Sequence, residues 1–214
     1  MAQISGIKTV PFALIRIPSQ DMSYAYITKR IDRIFGQKFG MLAMEDFCQL
    51  DGRLTEDKYR GSYERCGKII TQYSVRPGLD LSELYIRVIF SFVVGNSDMH
   101  LKNFSLIETE VGSGEYVLSA AYDMLSTNVV LPADQEQFAL AMNGKKRHIR
   151  RNDFLRFGDA IGISRKTAEK LLEMIVKCEN KYLEMCKNSY LPDEIKERLK
   201  NLIQERMEIL RGNI

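Results

Sequence analysis

The sequence of 214 residues contains no tryptophan and only two histidines, His100 and His148. Its four cysteines are scattered along the chain, and no two of them form a C-x-x-C pair. Structural zinc sites take four Cys or His ligands, usually at such short spacings, so the sequence predicts no structural zinc site. The cysteines are instead expected to be free, buried thiols, as in proteins of a reducing cytosol.

The chain also lacks a large excess of either positive or negative charge. Lys and Arg number 31 against 28 Asp and Glu, which leaves a net charge of +3, and the two signs are interleaved along the chain. This balance indicates no strong preference for nucleic acids or membrane surfaces. No uncharged apolar run approaches the roughly 20 residues that a membrane-spanning helix needs, and the first residues lack a signal-peptide pattern. We therefore expect a cytoplasmic protein that does not associate with membranes.

The composition is otherwise that of an ordinary globular protein, with 45% hydrophobic and 28% charged residues. A chain of this length can bury one sizeable core. Two segments near the N-terminus, residues 10–17 and 24–29, are predicted strands, because β-favoured residues alternate between two faces in the second of them. The turn 18–21 joins these segments. A pair of strands alone is marginally stable, so they are expected to be the end of a small sheet.

Most of the remaining chain shows helical periodicity. The most apolar predicted helix, 81–94, follows the break at Pro77-Gly78 and leads directly into a polar loop. Ser164 suits the N-cap of a long helix, and Pro192 suits the first turn of the last one. The other elements are predicted helices at 45–50, 62–73, 152–161, 164–187 and 192–210, and a hairpin of strands 104–107 and 116–118. The fold is therefore expected to be α+β and mostly α-helical.

The polar loop 96–103, with the sequence Asn-Ser-Asp-Met-His-Leu-Lys-Asn, is the most informative feature of the chain. Asp98 and Asn103 have the D-x-x-x-x-N spacing of a protein-kinase catalytic loop, and Asp123 follows where a second metal-binding aspartate is expected. Phosphoryl transfer depends on positioning and on neutralisation of charge. Asp98 can hold the attacking hydroxyl, and the side-chain oxygens of Asn103 and Asp123 suit Mg²⁺.

Spacing alone leaves alternatives open, because a lone D-x-x-x-x-N occurs by chance in many proteins. Asp98, His100 and Asp123 can also be the ligands of a metal-dependent phosphohydrolase, a class whose sites usually need more histidines than this chain has. Within a kinase loop, His100 and Lys102 can order the backbone or face phosphate. The kinase interpretation is favoured by the full order of elements: apolar helix, polar loop, strand, turn, strand and Tyr122-Asp123.

Several segments, in this order, resemble the HipA family of bacterial serine/threonine kinases, which are the toxin components of toxin–antitoxin systems. Residues 95–105 resemble the family's catalytic loop G-N-x-D-x-H-x-K-N-F-S, and residues 121–125 resemble its metal-binding Y-D motif. Residues 27–33 resemble the hinge strand that passes the adenine. Residues 45–49 and 140–145 resemble two further signatures, so the resemblance extends through most of the chain.

The resemblance implies a kinase-like C-terminal lobe in residues 36–214, preceded by a remnant of the N-lobe sheet and the hinge in residues 1–35. It implies ATP and Mg²⁺ as ligands of the site. Carried over by position, Asp98 is the catalytic base, and Asn103 and Asp123 are the Mg²⁺ ligands.

The resemblance also assigns the hinge residues Lys29 and Ile31 to the binding of adenine. The residues alone also allow a second interpretation, in which Lys29 is a solvated strand residue and Ile31 is a core residue. His100 and Lys102 belong to the catalytic loop, and the resemblance leaves their individual roles open.

Members of the family arrest growth by phosphorylating translation proteins, including aminoacyl-tRNA synthetases, and a helix-turn-helix antitoxin holds them in check. The resemblance thus implies a protein substrate, an antitoxin partner, and contact with DNA only through that antitoxin. A basic cluster is either a solvated face or a surface for an acidic partner or for DNA phosphates beside the antitoxin. It consists of Lys145, Lys146, Arg147, Arg150 and Arg151.

The N-terminal part departs from the family pattern. Nothing in residues 1–30 resembles the family's phosphate-gripping loop, and Lys8 does not stand where the family has the lysine that binds the ATP phosphates. We therefore expect either a separate N-lobe polypeptide or truncation of a longer gene. A second hypothesis, of another class, is a non-catalytic remnant that binds the antitoxin or a nucleotide and transfers no phosphate.

Overall fold

The secondary structure is mostly helical, with two small sheets. The computed structural model describes residues 1–17, 24–34, 36, 40–131 and 136–213. The strands are β1 (Phe12–Arg16), β2 (Tyr24–Thr28), β3 (Met44–Asp46), β4 (Ser105–Glu108) and β5 (Tyr116–Leu118). The helices are α1 (Phe47–Leu50), α2 (Tyr63–Tyr73), α3 (Pro77–Val94), α4 (Thr127–Val130), α5 (Arg151–Ala160), α6 (Arg165–Val176), α7 (Glu179–Lys187) and α8 (Asp193–Arg211). The predicted α+β class with a helical majority is confirmed.

Helix α3 lies at the centre of the core. Every residue from Leu84 to Val94 is buried, which is why its sequence is apolar on all sides rather than along one stripe. The helix begins at Pro77, four residues before the predicted start. Proline lacks an N–H, and the first turn of a helix has no acceptor for that group, so Pro77 fits at this position and does not break the helix.

Two buried polar side chains of α3 hold strand β5 in place. The Asp80 carboxylate accepts a hydrogen bond from the Leu118 N–H at 2.7 Å, and the Arg87 guanidinium donates to the Ser119 carbonyl at 2.6 Å. Glu83 pairs with Arg87 one turn earlier on the helix. These contacts fix the distance between the central helix and the hairpin that follows the polar loop.

The predicted helix over 45–50 is only half correct. Glu45 and Asp46 belong to β3, which pairs antiparallel with β4, while β4 pairs antiparallel with β5. The helical part starts at Phe47, where the Asp46 side chain accepts a hydrogen bond from the Gln49 N–H and caps α1. The strand forms because a distant segment offers a paired edge, a contact that local periodicity does not reveal.

Strands β1 and β2 form a separate two-stranded antiparallel sheet, as predicted. The turn predicted at 18–21 lies outside the described residues. Large apolar side chains are exposed on the pair; Phe12 is 54% and Tyr26 65% exposed. The segment just before β1 joins this sheet to the rest of the fold. The Val10 N–H donates to the Ala121 carbonyl, and the Ala121 N–H donates to the Lys8 carbonyl.

The C-terminal helices pack around α3. The single helix predicted over 164–187 is two helices, α6 and α7, with a break at Lys177-Cys178. In α7, Tyr182 buries its ring against Phe90 and its hydroxyl against Ser5. The predicted N-cap is confirmed, because the Ser164 hydroxyl accepts from the Thr167 N–H at 3.2 Å.

All four cysteines are buried free thiols, as expected from their spacing. None of the helices in the described part of the chain combines the length and the apolar character that a bilayer crossing requires.

Candidate active site

The polar loop begins where α3 ends, at a position that only glycine can occupy. Gly95 has a φ of 68°, in the left-handed region, and its N–H closes the helix on the Phe92 carbonyl. A Cβ at this position would lie 2.4 Å from a methyl carbon of Leu202 and 3.2 Å from the Asn128 side chain. Backbone strain and close packing therefore both require glycine here.

A short segment after the loop holds its first residues. The Thr127 hydroxyl accepts a hydrogen bond from the Ser97 N–H at 2.7 Å and donates to the Gly95 carbonyl at 3.2 Å. The Asn128 side-chain amide donates to the Ser97 hydroxyl. The loop backbone is thus bonded to α4 as well as to α3, so its shape is fixed before any ligand binds.

Asp98 is half-buried, and three of its polar groups are engaged. Its N–H donates to the Asn96 side-chain oxygen at 3.2 Å, and its backbone carbonyl accepts from the His100 N–H at 2.8 Å. Its carboxylate accepts a hydrogen bond from the Tyr59 hydroxyl at 2.6 Å. Partial burial and this bond to a carboxylate raise the pKa of Tyr59 to about 12, so the phenol is protonated and acts as the donor.

Asn103 closes the loop onto Asp98. Its side-chain nitrogen donates to the backbone carbonyl of Asp98 at 2.9 Å, and the side chain is buried at the end of the short 3₁₀ turn Leu101–Asn103. This hydrogen bond accounts for the five-residue spacing between Asp98 and Asn103, because the two residues are the ends of one closed turn. Because the amide nitrogen is used, the carbonyl oxygen of the same group is the atom that can bind a cation.

His100 lies beneath Asp98 with only 5% of its surface exposed. The Tyr59 ring packs edge-on against the imidazole, with ring centres 5.0 Å apart. Burial, and next the nearby Lys58 ammonium, lower the pKa of His100, against the opposing fields of Asp98 and Asp123. The imidazole is therefore neutral at pH 7, and its buried Nδ1 has no hydrogen-bond partner among the residues that the structure describes.

Lys102 points away from Asp98. Its ammonium donates to the Asp46 carboxylate at 2.8 Å, and this ion pair raises the pKa of Lys102. Asp46 uses its other oxygen to cap α1. Lys102 thus connects the loop to the junction of β3 and α1.

Asp123 is brought to the loop by its neighbour Tyr122. The Tyr122 hydroxyl donates to the Lys102 carbonyl at 3.0 Å and shares a second hydrogen bond with the Ser105 hydroxyl at 2.6 Å. Burial raises the pKa of Tyr122 to about 12. Asp123 itself is exposed and has a φ of 55°, which turns the chain sharply after the anchored tyrosine.

Asp123 also lines an apolar cavity of about 630 Å³. The cavity is lined by Phe12 and Tyr26 of the β1–β2 sheet, by the first residue Met1, and by Val94 at the end of α3. The cavity therefore connects the two-stranded sheet, the N-terminal residues and the Tyr122-Asp123 segment.

The hinge residues predicted to contact adenine lie just beyond β2. The Lys29 N–H donates to the Pro11 carbonyl at 2.9 Å, and the Lys29 side chain is exposed, while Ile31 is half-buried. Arg30 and Asp32 form a two-point ion pair next to them. The polar loop thus brings together four of the predicted site residues, Asp98, His100, Asn103 and Asp123. The other two, Lys29 and Ile31, belong to a separate segment.

Two site residues escaped sequence reasoning. Tyr59 lies 39 positions before Asp98, and Asp46 lies 56 positions before Lys102, so no local spacing connects either pair. The basic cluster is partly engaged within the chain, because Lys145 pairs with Asp153 at 2.9 Å and Lys146 with Glu136 at 3.4 Å.

Comparison with known proteins identifies the relatives of this chain. Residues 1–182 match the family model of the HipA-like C-terminal domain. A Haemophilus influenzae protein named "Putative kinase" is 28% identical over 195 residues, which cover 79% of this chain and 55% of that protein. "Putative kinase Y4dM" of Sinorhizobium fredii is 38% identical over 104 residues, covering 48% of this chain and 24% of that one. The chain thus spans about half the length of these curated relatives, or less.

Two solved structures have the same fold. The HipA–HipB toxin–antitoxin complex with operator DNA from Shewanella oneidensis contains a chain that matches with a TM-score of 0.81 at 19% identity, over 99% of this chain and 54% of that one. The Helicobacter pylori proinflammatory kinase CtkA matches with a TM-score of 0.67 at 18% identity, over 99% of this chain and 79% of that one. The predicted kinase-like fold is confirmed.

Proposed function

The chain belongs to the family of HipA-like C-terminal domains, and from this we propose that it is the catalytic lobe of a serine/threonine protein kinase. It transfers the γ-phosphate of ATP to a protein hydroxyl. One observation carries the proposal: Asp98 and Asn103 close one loop through a side-chain hydrogen bond, and Tyr122 bonds the Asp123 segment to that same loop. This is the arrangement that phosphoryl transfer requires of its acceptor-binding and metal-binding groups.

In this proposal Asp98 receives the proton of the acceptor hydroxyl as that oxygen attacks phosphorus. Asn103 and Asp123 offer hard oxygen atoms, one neutral and one anionic, a donor set that would hold Mg²⁺. A bound ion would neutralise phosphate charge. Neutral His100 and ion-paired Lys102 keep the loop in shape, and Lys29 and Ile31 of the hinge contact the adenine.

We also propose that the lobe works with N-lobe material, either a separate polypeptide or a preceding part of a longer chain. Two observations support this. The β1–β2 sheet exposes Phe12 and Tyr26, and an isolated pair of strands is marginally stable. The cavity next to Asp123 is lined by Met1 and by Phe12 and Tyr26 of this sheet, so it lies on the side of the lobe that carries the strand pair. The division between the N-lobe remnant and the C-lobe is placed at about residue 35.

The proposed partners follow from the relatives. The Shewanella oneidensis structure contains HipA, HipB and operator DNA, and we propose a helix-turn-helix antitoxin as the partner of this chain, with DNA contacted only through it. The proposed substrate is a cytoplasmic translation protein such as an aminoacyl-tRNA synthetase. Arg147 and Arg150 of the basic cluster are candidates for contact with an acidic partner.

The test measures Mg²⁺-dependent ATP binding and phosphate transfer for the chain alone and together with the product of any frame directly upstream. We expect Asp123→Ala to weaken Mg²⁺-dependent nucleotide binding. Asp98→Asn should retain binding and lose transfer, by a factor of about 10² or more, because the proton acceptor is removed. A chain that binds Mg²⁺-ATP in both conditions but never transfers phosphate would be the non-catalytic module instead. A chain that binds metal but no nucleotide would be the phosphohydrolase.

A further inference from the structure

The Tyr59 hydroxyl donates a hydrogen bond to one carboxylate oxygen of Asp98 at 2.6 Å, a length typical of a hydroxyl bound to an ionised carboxylate. An acceptor alcohol would approach the proposed catalytic base in the same manner. Tyr59 therefore either competes with the acceptor, receives the phosphate itself, or holds the carboxylate while the other oxygen serves the acceptor. The contacts around Tyr59 decide between competition and support, and the experiment below tests whether Tyr59 receives phosphate.

The segment that carries Tyr59 is bonded to the polar loop before Tyr59 and to the segment around residue 141 after it. Before Tyr59, the Lys58 carbonyl accepts from the Leu101 N–H at 3.2 Å. After it, the Gly61 carbonyl accepts from the Ala141 N–H at 3.3 Å, and a Cβ on Gly61 would already touch Leu101 at 3.4 Å. These bonds fix the backbone on either side of Tyr59.

A second anchor follows one turn later. The fully buried Tyr63 donates from its hydroxyl to the Met99 carbonyl at 3.3 Å, and its N–H bonds the Ala141 carbonyl at 3.0 Å. The Tyr59 ring packs on the buried His100 imidazole. Tyr59 and Asp98 thus belong to one rigid platform, and rigidity argues for support of the base over competition with the acceptor.

From this geometry we infer that Tyr59 is a positioning residue for the reaction proposed above: it fixes the Asp98 carboxylate so that its second oxygen faces the acceptor hydroxyl. The inference rests on the proposed kinase function. It assigns Tyr59 no contact with ATP or Mg²⁺, so the residue affects the rate of transfer and not the binding of nucleotide.

The test uses Tyr59→Phe, which keeps the ring on His100 and removes only the hydroxyl, under whichever condition the wild-type chain transfers phosphate to dephosphorylated casein. We expect kcat to fall about tenfold while KM for Mg²⁺-ATP stays within about twofold. Tyr73→Phe is the matched control, because Tyr73 is equally exposed (41% against 42%) and ends α2 away from the loop. It should change neither constant.

A spectroscopic measurement tests the contact itself. In ¹³C-tyrosine NMR of the whole chain, the Tyr59 signal should titrate near pH 12 in the wild type and at lower pH in Asp98→Asn, where the carboxylate charge is gone. An unchanged kcat in Tyr59→Phe overturns the positioning role alone. So does phosphate found on Tyr59 by mass spectrometry, which would make it an acceptor. A wild type that binds Mg²⁺-ATP and transfers no phosphate overturns the proposed function together with this inference.

Discussion

The Tyr122 hydroxyl donates a hydrogen bond to the backbone carbonyl of Lys102 at 3.0 Å. The two motifs of the site, separated by a hairpin in the sequence, are therefore physically attached through one side chain. The Ser105 hydroxyl completes the arrangement at 2.6 Å. The position of Asp123 relative to the polar loop thus depends on the tyrosine that precedes it.

Replacing Tyr122 by Phe should loosen this attachment. The change removes two hydrogen bonds in a buried environment, so we expect a loss of about 1–2 kcal/mol in the free energy of unfolding. Mg²⁺-dependent nucleotide binding should weaken about three- to tenfold, because the segment that carries Asp123 loses its hydrogen bond to the polar loop. Denaturant unfolding and calorimetric titration measure the two effects.

Tyr116→Phe is the control for this change, since Tyr116 is half-buried on β5 and its hydroxyl has no hydrogen bond among the described residues. It should leave both quantities within experimental error. Full nucleotide affinity in Tyr122→Phe, with stability lowered, would show that Asp123 is positioned by other contacts.

The Lys102–Asp46 ion pair provides a way to distinguish the two roles considered for Lys102, ordering the loop and facing phosphate. If Lys102 orders the loop, Asp46→Asn should affect Mg²⁺-ATP affinity as much as Lys102→Met does, and the double variant should add nothing. Asn at position 46 still caps α1, so the comparison isolates the charge. Since the two side chains are 33% and 14% exposed, each single change should cost only about 0.5–1 kcal/mol of stability.

Equilibrium ATP titrations of the four proteins in this cycle decide the matter. A loss of affinity in Lys102→Met with none in Asp46→Asn would mean that the ammonium leaves Asp46 and contacts phosphate.

Stability should depend on pH through His100. Burial lowers its pKa in the folded protein, so the unfolded chain binds a proton more readily. This contribution is therefore fully present above the ordinary histidine pKa, near 6.5, and is lost as the pH falls below it. We expect His100→Gln to lose less stability than the wild type between pH 7 and pH 5, as measured by urea unfolding at each pH.

His148, the other histidine of the chain, provides the control. It is exposed and has a φ of 55°, so His148→Asn suits the backbone there. Comparison of the two variants separates an effect of position 100 from the loss of any one histidine. Identical slopes in wild type and His100→Gln would place the acid sensitivity elsewhere.

The elements predicted correctly are those whose causes are local. Helix α3 is apolar on all sides, α2 begins after Ser62, and residues 24–29 show the strand periodicity of β2. The start of α3 was misplaced for a local reason, the proline in its first turn, and two other errors fell where a distant partner decides. Glu45 and Asp46 form a strand because β4 pairs with them, and α6 and α7 separate at Cys178 because Tyr182 is buried beside Ser5.

The same division holds for the site. The sequence by itself determined the closed turn between Asp98 and Asn103 and the left-handed backbone at Gly95, because these depend on spacing and backbone conformation within a few residues; the close packing of Gly95 on Leu202 belongs to the tertiary structure. Only the tertiary structure decided that Tyr59 supports Asp98 and that Lys102 turns to Asp46. Those bonds join residues 39 and 56 positions apart, and such contacts exist only once the core has packed.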